Sequence, residues 1–328
     1  MSNQQVTESA TGAPNKHEAT HVGEEFTETI AFCQQKMLDT PELNYLAHYS
    51  DGIYDFAVDR LGAVGEQSPH GRRLLRRIGR QLAFRMQDLD EMLRPPRTGA
   101  LLRLVLQYPS GYVVCTSVLP RVHLVGYSLT ALREDAGAAA ADTEPVDRSM
   151  VALVTALRRR IGLPSLNPGG FEETPSGSQS AGPLLVEQWS GAEQVAVANA
   201  CRNAVRHEDL HFVAYTVNGV VKVMDDCLSN PRLRSHFTQI SVKARRQYYK
   251  ELAGEINEHV AHFNLIVSSA LDGNFVRAVY DVEQGAIFSH RVAPGKLLMG
   301  VTLKQDAERA AETRLGELAD HCRKFLGD

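Results

Sequence analysis

The chain has 328 residues, 43% hydrophobic and 23% charged, with a formal net charge of -4 at pH 7. That length suits two units of roughly 150 residues, each able to bury its own core, and the slightly acidic balance argues against a nucleic-acid binder recognised by global charge. No run approaches the ~18 apolar residues of a membrane helix, the start lacks the basic and apolar regions of a secretory leader, and the five cysteines contain no C-x-x-C pair. The expectation is a cytoplasmic protein without membrane insertion, its thiols buried as small hydrophobes.

Residues 1–24 are polar and aperiodic, the composition of a disordered tail. His17 and His21 are spaced i, i+4, which would suit a metal only on a helix, and this composition disfavours one. Phe26, Ile30, Cys33 and Met37 step by four, three and four and predict a helix that Pro41 ends. Leu43 to Phe56, LNYLAHYSDGIYDF, reads as two strands around Asp51-Gly52, a pair suited to a type I′ turn.

Leu75, Ile78, Leu82, Met86, Leu89 and Leu93 then mark one face of a long helix stopped at Pro95-Pro96. Its other face carries Arg72, Arg73, Arg76, Arg77 and Arg80, either a docking patch for an acidic partner or phosphates, or a solvated surface. Three strand-like runs fill ALLRLVLQYPSGYVVCTSVL and VHLVGYSLTA. Residues 133–147 read as a loose connection. Val151, Val154, Leu157 and Ile161 predict a further helix.

Residues 164–183 hold the densest Pro/Gly/Ser cluster and read as an interdomain linker. Beyond it the order repeats: a helix around Val197, Cys201 and Val205, a hairpin at Asn218-Gly219, a long stripe from Val242 to Phe263, strands, and a closing helix through Leu315, Leu318, Cys322 and Phe325. At a constant spacing of 167 residues Leu43 falls on Leu210, Tyr45 on Phe212, Ala47 on Ala214 and Asp51-Gly52 on Asn218-Gly219. The chain reads as a diverged tandem duplication. The run FNLIVSSALDGNFVRAVYDV is expected as strands about a loop at Asp272-Gly273. AIFSHRV (Ala286 to Val292) finds no mate in the first half and is expected as an extra strand or a longer hairpin. The predicted fold is α+β, with two tandem repeats, 25–163 and 184–328. Each is an antiparallel five-stranded sheet flanked by a long central helix and terminal helices, and the two are packed as an internal pseudo-dimer.

This order of elements resembles the roadblock/LC7 family and its profilin-like and longin-like relatives. The likeness is carried by the hairpins Asp51-Gly52-Ile53 and Asn218-Gly219-Val220, the long helices after them, and the Gly126 and Gly300 strands leading into final helices. The resemblance implies a five-stranded sheet between one central helix and terminal helices, and a dimeric platform that binds Ras-like GTPases or other protein partners. It brings no catalytic motif. The 133–147 connection departs from the family's compactness, and secretion-chaperone-like folds share similar orders of elements.

His207-Glu208-Asp209-Leu210-His211 satisfies H-E-x-x-H, which in a zinc peptidase must be helical so that both imidazoles face one metal. The 167-residue repeat places His211 opposite Asn44, where a helix gives way to a strand, so the string is not expected to ligate, and His211→Ala is expected to leave stability nearly unchanged. Glu255, Glu258, His259 and His262 form i, i+4 pairs on the second long helix that could supply one side of a carboxylate-histidine site, or merely cap its end. No phosphate-binding loop, dinucleotide fingerprint or nucleophile elbow occurs, and Trp189 reads as a packing residue. No cofactor or metal is expected. The leading expectation is a non-enzymatic protein-binding platform, a regulator or scaffold for a small Ras-like GTPase, with Arg72, Arg73, Arg76, Arg77 and Arg80 as its binding residues. The alternatives are a secretion or assembly chaperone holding a client by strand addition, and a metal-dependent hydrolase at His207, Glu208 and His211.

Overall fold

A computed structural model describes residues 13–61, 69–130, 143–171 and 192–326. Trp189 and most of the 133–147 and 164–183 stretches lie outside them. Helix α1 (Thr27–Asp39) buries Ile30, Cys33 and Met37, three of the four residues of its predicted stripe. Strands β2 (Tyr45–Ser50) and β3 (Ile53–Asp59) follow, and Asp51 and Gly52 take φ of 53° and 72°, the two positive values that a type I′ turn requires. The second hairpin, β7 (Phe212–Val217) and β8 (Val220–Asp226), turns in the same way, with Asn218 at 50° and Gly219 at 77°.

The long amphipathic stripes become α2 (Pro69–Met92) and α5 (Val242–Val267), the latter N-capped by the Ser241 hydroxyl, which accepts from Ala244 N at 3.1 Å. Strands β4 (Leu101–Tyr108), β5 (Gly111–Leu119) and β6 (Val122–Leu129) precede helix α3 (Glu144–Arg160). After α4 (Ala192–Ala204) and the second hairpin and helix come β9 (Arg277–Val282), β10 (Gly285–Ala293), β11 (Lys296–Thr302) and α6 (Glu308–Leu326). Among the described residues no helix is long and apolar enough to cross a membrane.

The expectation of two separate five-stranded sheets is corrected. All strands belong to one antiparallel sheet of 11, ordered β1-β3-β2-β6-β5-β4-β9-β10-β11-β7-β8. Outward from the β4/β9 pair, each half has the same strand order. One face carries α2 and α5 over a core that runs without a break from Tyr45 and Leu82 to Phe263 and Tyr280. The opposite face carries α1, α3, α4 and α6 over a second core. Burial on both faces explains why the central strands read as continuous apolar runs.

Three further expectations change. Residues 13–24 are not a free tail, because β1 (Asn15–Glu18) pairs with β3 along the sheet edge and His17 and His21 reach the buried Asp59 and Asp55 at 3.0 and 2.9 Å. An unpaired strand edge and two buried carboxylates supply partners that composition does not display. Phe263 to Val267 close helix α5 rather than begin a strand, and AIFSHRV lies in β10, which holds the place of β5 in the order rather than adding a strand. The start of the 164–183 linker is tied down as well. Gly169, at φ 80°, donates its N–H to Asp281 Oδ2 at 2.6 Å.

That contact joins a buried charge cluster at the meeting of the two halves. Arg103 on β4 is 2% exposed and lies 3.0 Å from Asp147 of α3, 3.4 Å from Asp281 of β9 and 2.5 Å from Glu308 of α6. Asp281 also accepts from Gln305 Nε2 at 2.7 Å. Burial and the adjacent Asp281 push the Glu308 carboxyl well above its ordinary range, so one proton is retained in the cluster, on Glu308. Beside it, Arg277 of β9 bonds Gln107 at 2.5 Å and also contacts Thr143 and Glu312.

Replacing Arg103 with Leu leaves Asp147 and Asp281 buried without their cation. Breaking a buried pair from one side costs about 3–5 kcal/mol, and chemical denaturation of Arg103→Leu is expected to show a loss of that size.

Candidate partner-binding site

Helix α2 lies on the sheet through Leu75, Ile78, Leu82, Met86 and Leu89, all buried. Its approach depends on Gly79, where an added Cβ would stand 2.3 Å from the Tyr49 hydroxyl. That hydroxyl donates to the Arg76 carbonyl at 2.9 Å and fixes the rotation of the helix. With one face so fixed, the arginines must point elsewhere.

They divide into two kinds. Arg72 is a structural clamp rather than a docking residue. Its Nε and Nη2 donate to Asp59 Oδ2 and Oδ1 at 2.6 and 3.0 Å, while Leu61 N donates to the same carboxylate at 3.3 Å. The second half repeats this: Arg246 Nε and Nη2 donate to Asp226 Oδ2 and Oδ1 at 2.5 and 2.8 Å, with Leu228 N at 3.0 Å. Asp59 and Asp226 are 167 residues apart, the spacing of the hairpins, and that spacing is the one signal in the sequence for a clamp that helical periodicity does not reveal. A bidentate pair of this kind fixes the helix N-terminus to the end of the preceding strand.

Arg73, Arg76, Arg77 and Arg80 are exposed, and among the described residues none pairs with a carboxylate. Arg76 lies over the Tyr54 ring at 4.7 Å and Arg80 over the Phe84 ring at 5.6 Å, positions that favour a cation by its attraction to the ring face. Phe84 is 42% exposed and covers the hairpin turn at Gly52, and the adjacent Ile53 is 56% exposed. No Asp or Glu occurs between Glu66 and Asp88. A chain of net charge -4 therefore concentrates cations beside apolar side chains on one helix face. Aligned through Arg72 and Arg246, the same positions of α5 are Gln247, Lys250, Glu251 and Gly254, so the patch belongs to the first half.

The metal expectations resolve by local geometry. The H-E-x-x-H string spans the gap between α4, which ends at Ala204, and β7, which begins at Phe212, so it has no helical repeat. Both ring nitrogens of His211 are engaged with backbone: Nδ1 accepts from Leu303 N at 3.0 Å and Nε2 lies 3.1 Å from the His207 carbonyl. His207 Nε2 faces Arg232 at 2.6 Å and Glu208 at 3.1 Å. On α5, Glu255, Glu258 and His262 are exposed, whereas His259 turns to Arg85 of α2 and accepts from it at 2.8 Å. Among the described residues no group of three or more His, Cys, Asp or Glu side chains is placed to hold a metal ion.

The engagement of His211 corrects the expectation that its loss would be neutral. The residue is fully buried, and His211→Ala orphans the Leu303 N–H, an expected loss of about 1–3 kcal/mol in unfolding free energy. Burial also lowers several imidazoles from the ordinary 6.5, His123 and His259 to about 4 and His211 and His290 to about 3. In this window the unfolded chain binds protons that these folded imidazoles refuse, so their contribution is complete above 6.5 and declines as pH falls toward 4. Unfolding measured from pH 7 to pH 4 is expected to show falling stability, with a shallower fall in His211→Asn. Compared with known proteins, the chain matches no family model and no curated sequence.

Proposed function

We propose that this protein is a non-enzymatic platform: two diverged copies of one unit, packed as an internal pseudo-dimer, that present the α2 face to an acidic protein partner of the small Ras-like GTPase kind. The pseudo-dimer reading is supported by equivalences across the chain. Arg103 and Arg277 are 174 residues apart, as are Gly126 and Gly300, and the partners of the two arginines correspond: Asp147 with Glu312, Glu308 with Thr143, Asp281 with Gln107. Five strands per half, a long helix on one face and terminal helices on the other agree with the arrangement that the roadblock/LC7 resemblance implies.

The observation that carries the partner reading is the set of four arginines without a carboxylate partner among the described residues, beside exposed Ile53 and Phe84. Uncompensated surface charge accelerates encounter with a complementary surface, and adjacent apolar side chains give the desolvated contact that holds it. The chaperone alternative is less favoured, because the β3 edge is occupied by the chain's own β1 and a client strand would have to displace it.

The test is recovery of partners from the native cell by the wild-type protein and by the triple variant Arg73→Glu, Arg77→Glu, Arg80→Glu. Arg72 is left intact as a clamp and Arg76 because it stacks on Tyr54. Each exposed substitution is expected to change stability by within ~0.5 kcal/mol. The wild type is expected to recover an acidic, guanine-nucleotide-bound protein in a salt-sensitive manner, and the variant to lose at least nine tenths of it. Equal recovery by both proteins would remove the patch from the function.

The pseudo-dimer has its own consequence. Residues 1–163 and 184–328, expressed separately, expose the β4 and β9 edges and divide the Arg103 cluster. They are expected to be poorly soluble alone and to assemble when co-expressed, as read by co-purification; two soluble, monomeric halves without mutual affinity would refute the arrangement.

A further inference from the structure

A cavity of about 750 Å3 opens at the end of the first half where the sheet is least regular. Here β4 and β5 cease to pair beyond Arg103 and Thr116, the β4/β9 register shifts between Leu101 and Arg103, and the β5/β6 register shifts between Ser117 and Leu119. Only a long 3.5 Å contact from the Ser117 hydroxyl to the Leu101 carbonyl bridges the separated strands. Irregularities of this kind bend strands away from each other and re-aim side chains, and they concentrate beside binding sites. The cavity reaches α2 at Met86 and Gln87 and the segment after α3 at Leu163 and Leu166.

Its lining is apolar with a few polar atoms, and the polar atoms sort clearly. The charged groups are already engaged within the protein. Asp90 accepts from Leu101 N at 2.7 Å and from Arg94 at 3.2 Å, Arg158 donates to the Val118 and Pro164 carbonyls at 2.7 and 2.9 Å, and Arg121 pairs with Asp51 at 2.6 Å. Glu91 and Glu283 are exposed and stand at the rim. Two buried polar atoms of the lining lack a partner among the described residues: Nδ1 of His123, a residue 2% exposed, and Nε2 of Gln87. Burial keeps His123 neutral at ordinary pH, lowering its pKa to about 4, with His48 adding to the effect.

We propose that this cavity is a binding site for a small uncharged molecule, a largely apolar body bearing one hydroxyl or carbonyl oxygen that bonds the Gln87 amide and His123. Its volume falls within the roughly 300–1,000 Å3 of cavities that enclose such ligands. A ligand oxygen satisfies two donors or acceptors that are otherwise orphaned in an apolar setting, whereas a carboxylate or ammonium would lose its hydration and meet no free counter-charge. The site is independent of the α2 docking face.

The experiment uses the full-length protein with 1-octanol and octanoate as matched probes at pH 7.5, followed by titration calorimetry and by side-chain resonances. Octanol is expected to bind one to one, shifting the Gln87 amide and His123 ring signals, with octanoate at least tenfold weaker. Ser117→Phe, which fills the cavity from a half-buried position, is expected to reduce octanol affinity at least tenfold. Gln87→Leu, on a helix face where an apolar side chain is tolerated, reduces it several-fold and abolishes the preference over octanoate. Octanoate binding as tightly as octanol, shifts confined to other residues, or unchanged affinity in both folded variants would each overturn the proposal.

Discussion

Two arginines buried on β4 and β9 govern how the sheet is joined at its centre. A strand ladder by itself tolerates slippage, but a shift of one residue would carry Arg103 to the opposite face, away from Asp147, Asp281 and Glu308 and into the apolar layer under α2 and α5. The desolvation of so many charges is large, and an apolar substitute of the same volume could be as stable. What the cluster adds is selectivity. Only the observed register places Gly169, α3 and the start of α6 around one guanidinium and its carboxylates. The opposite face is fixed by contacts of another kind: Arg245 donates to the Pro96 carbonyl at 2.6 Å and Tyr248 to the Met92 carbonyl at 2.8 Å, so α5 grips the exit of α2 from both sides of its last turn.

Periodicity and turn chemistry made the helices and hairpins legible. The two-residue turns needed positive φ at both positions, and Asp51-Gly52 and Asn218-Gly219 announce that requirement. What the sequence obscured was the repeat beyond the hairpins. The spacing of 167 residues that aligns Asp59 with Asp226 becomes 174 at Arg72 and Arg246, because the second half carries seven more residues, Pro231–Phe237 forming a 3-10 segment before α5. Held to a single spacing, AIFSHRV has no mate; at 174 it falls on β5. Phe263 to Val267 misled for a related reason. A short apolar run is equally suited to a strand or a buried helix end, and only its packing as the last turn of α5 decides.

The docking face was legible as a cluster of arginines but not as a surface. Nothing in helical spacing separates Arg72, held by the buried Asp59, from Arg73, which is exposed, because the carboxylate that distinguishes them arrives from another strand. Phe84 and Ile53 were equally indistinct. Ile53 is one of many apolar residues in a hairpin, and its exposure follows from the turn geometry and from Phe84 lying across Gly52. The cavity was invisible in sequence. It arises where register shifts separate neighbouring strands, and its orphaned atoms, on His123 and Gln87, come from elements on different layers of the fold.

The internal comparison separates scaffold from specialisation. Features that hold the architecture occur twice, the Asp59–Arg72 and Asp226–Arg246 clamps and the paired Arg103 and Arg277 among them. Features that could recognise something else occur once, and all of them in the first half. At the spacing of 174, the four exposed arginines meet Gln247, Lys250, Glu251 and Gly254, while Gln87, Ser117 and His123 meet Ala261, Arg291 and Leu297. A fold maintained by duplicated contacts can lose or gain surface chemistry on one copy without unbalancing the other. The second half has thus kept the contacts that complete the sheet, and the first has become the face that meets ligands and partners.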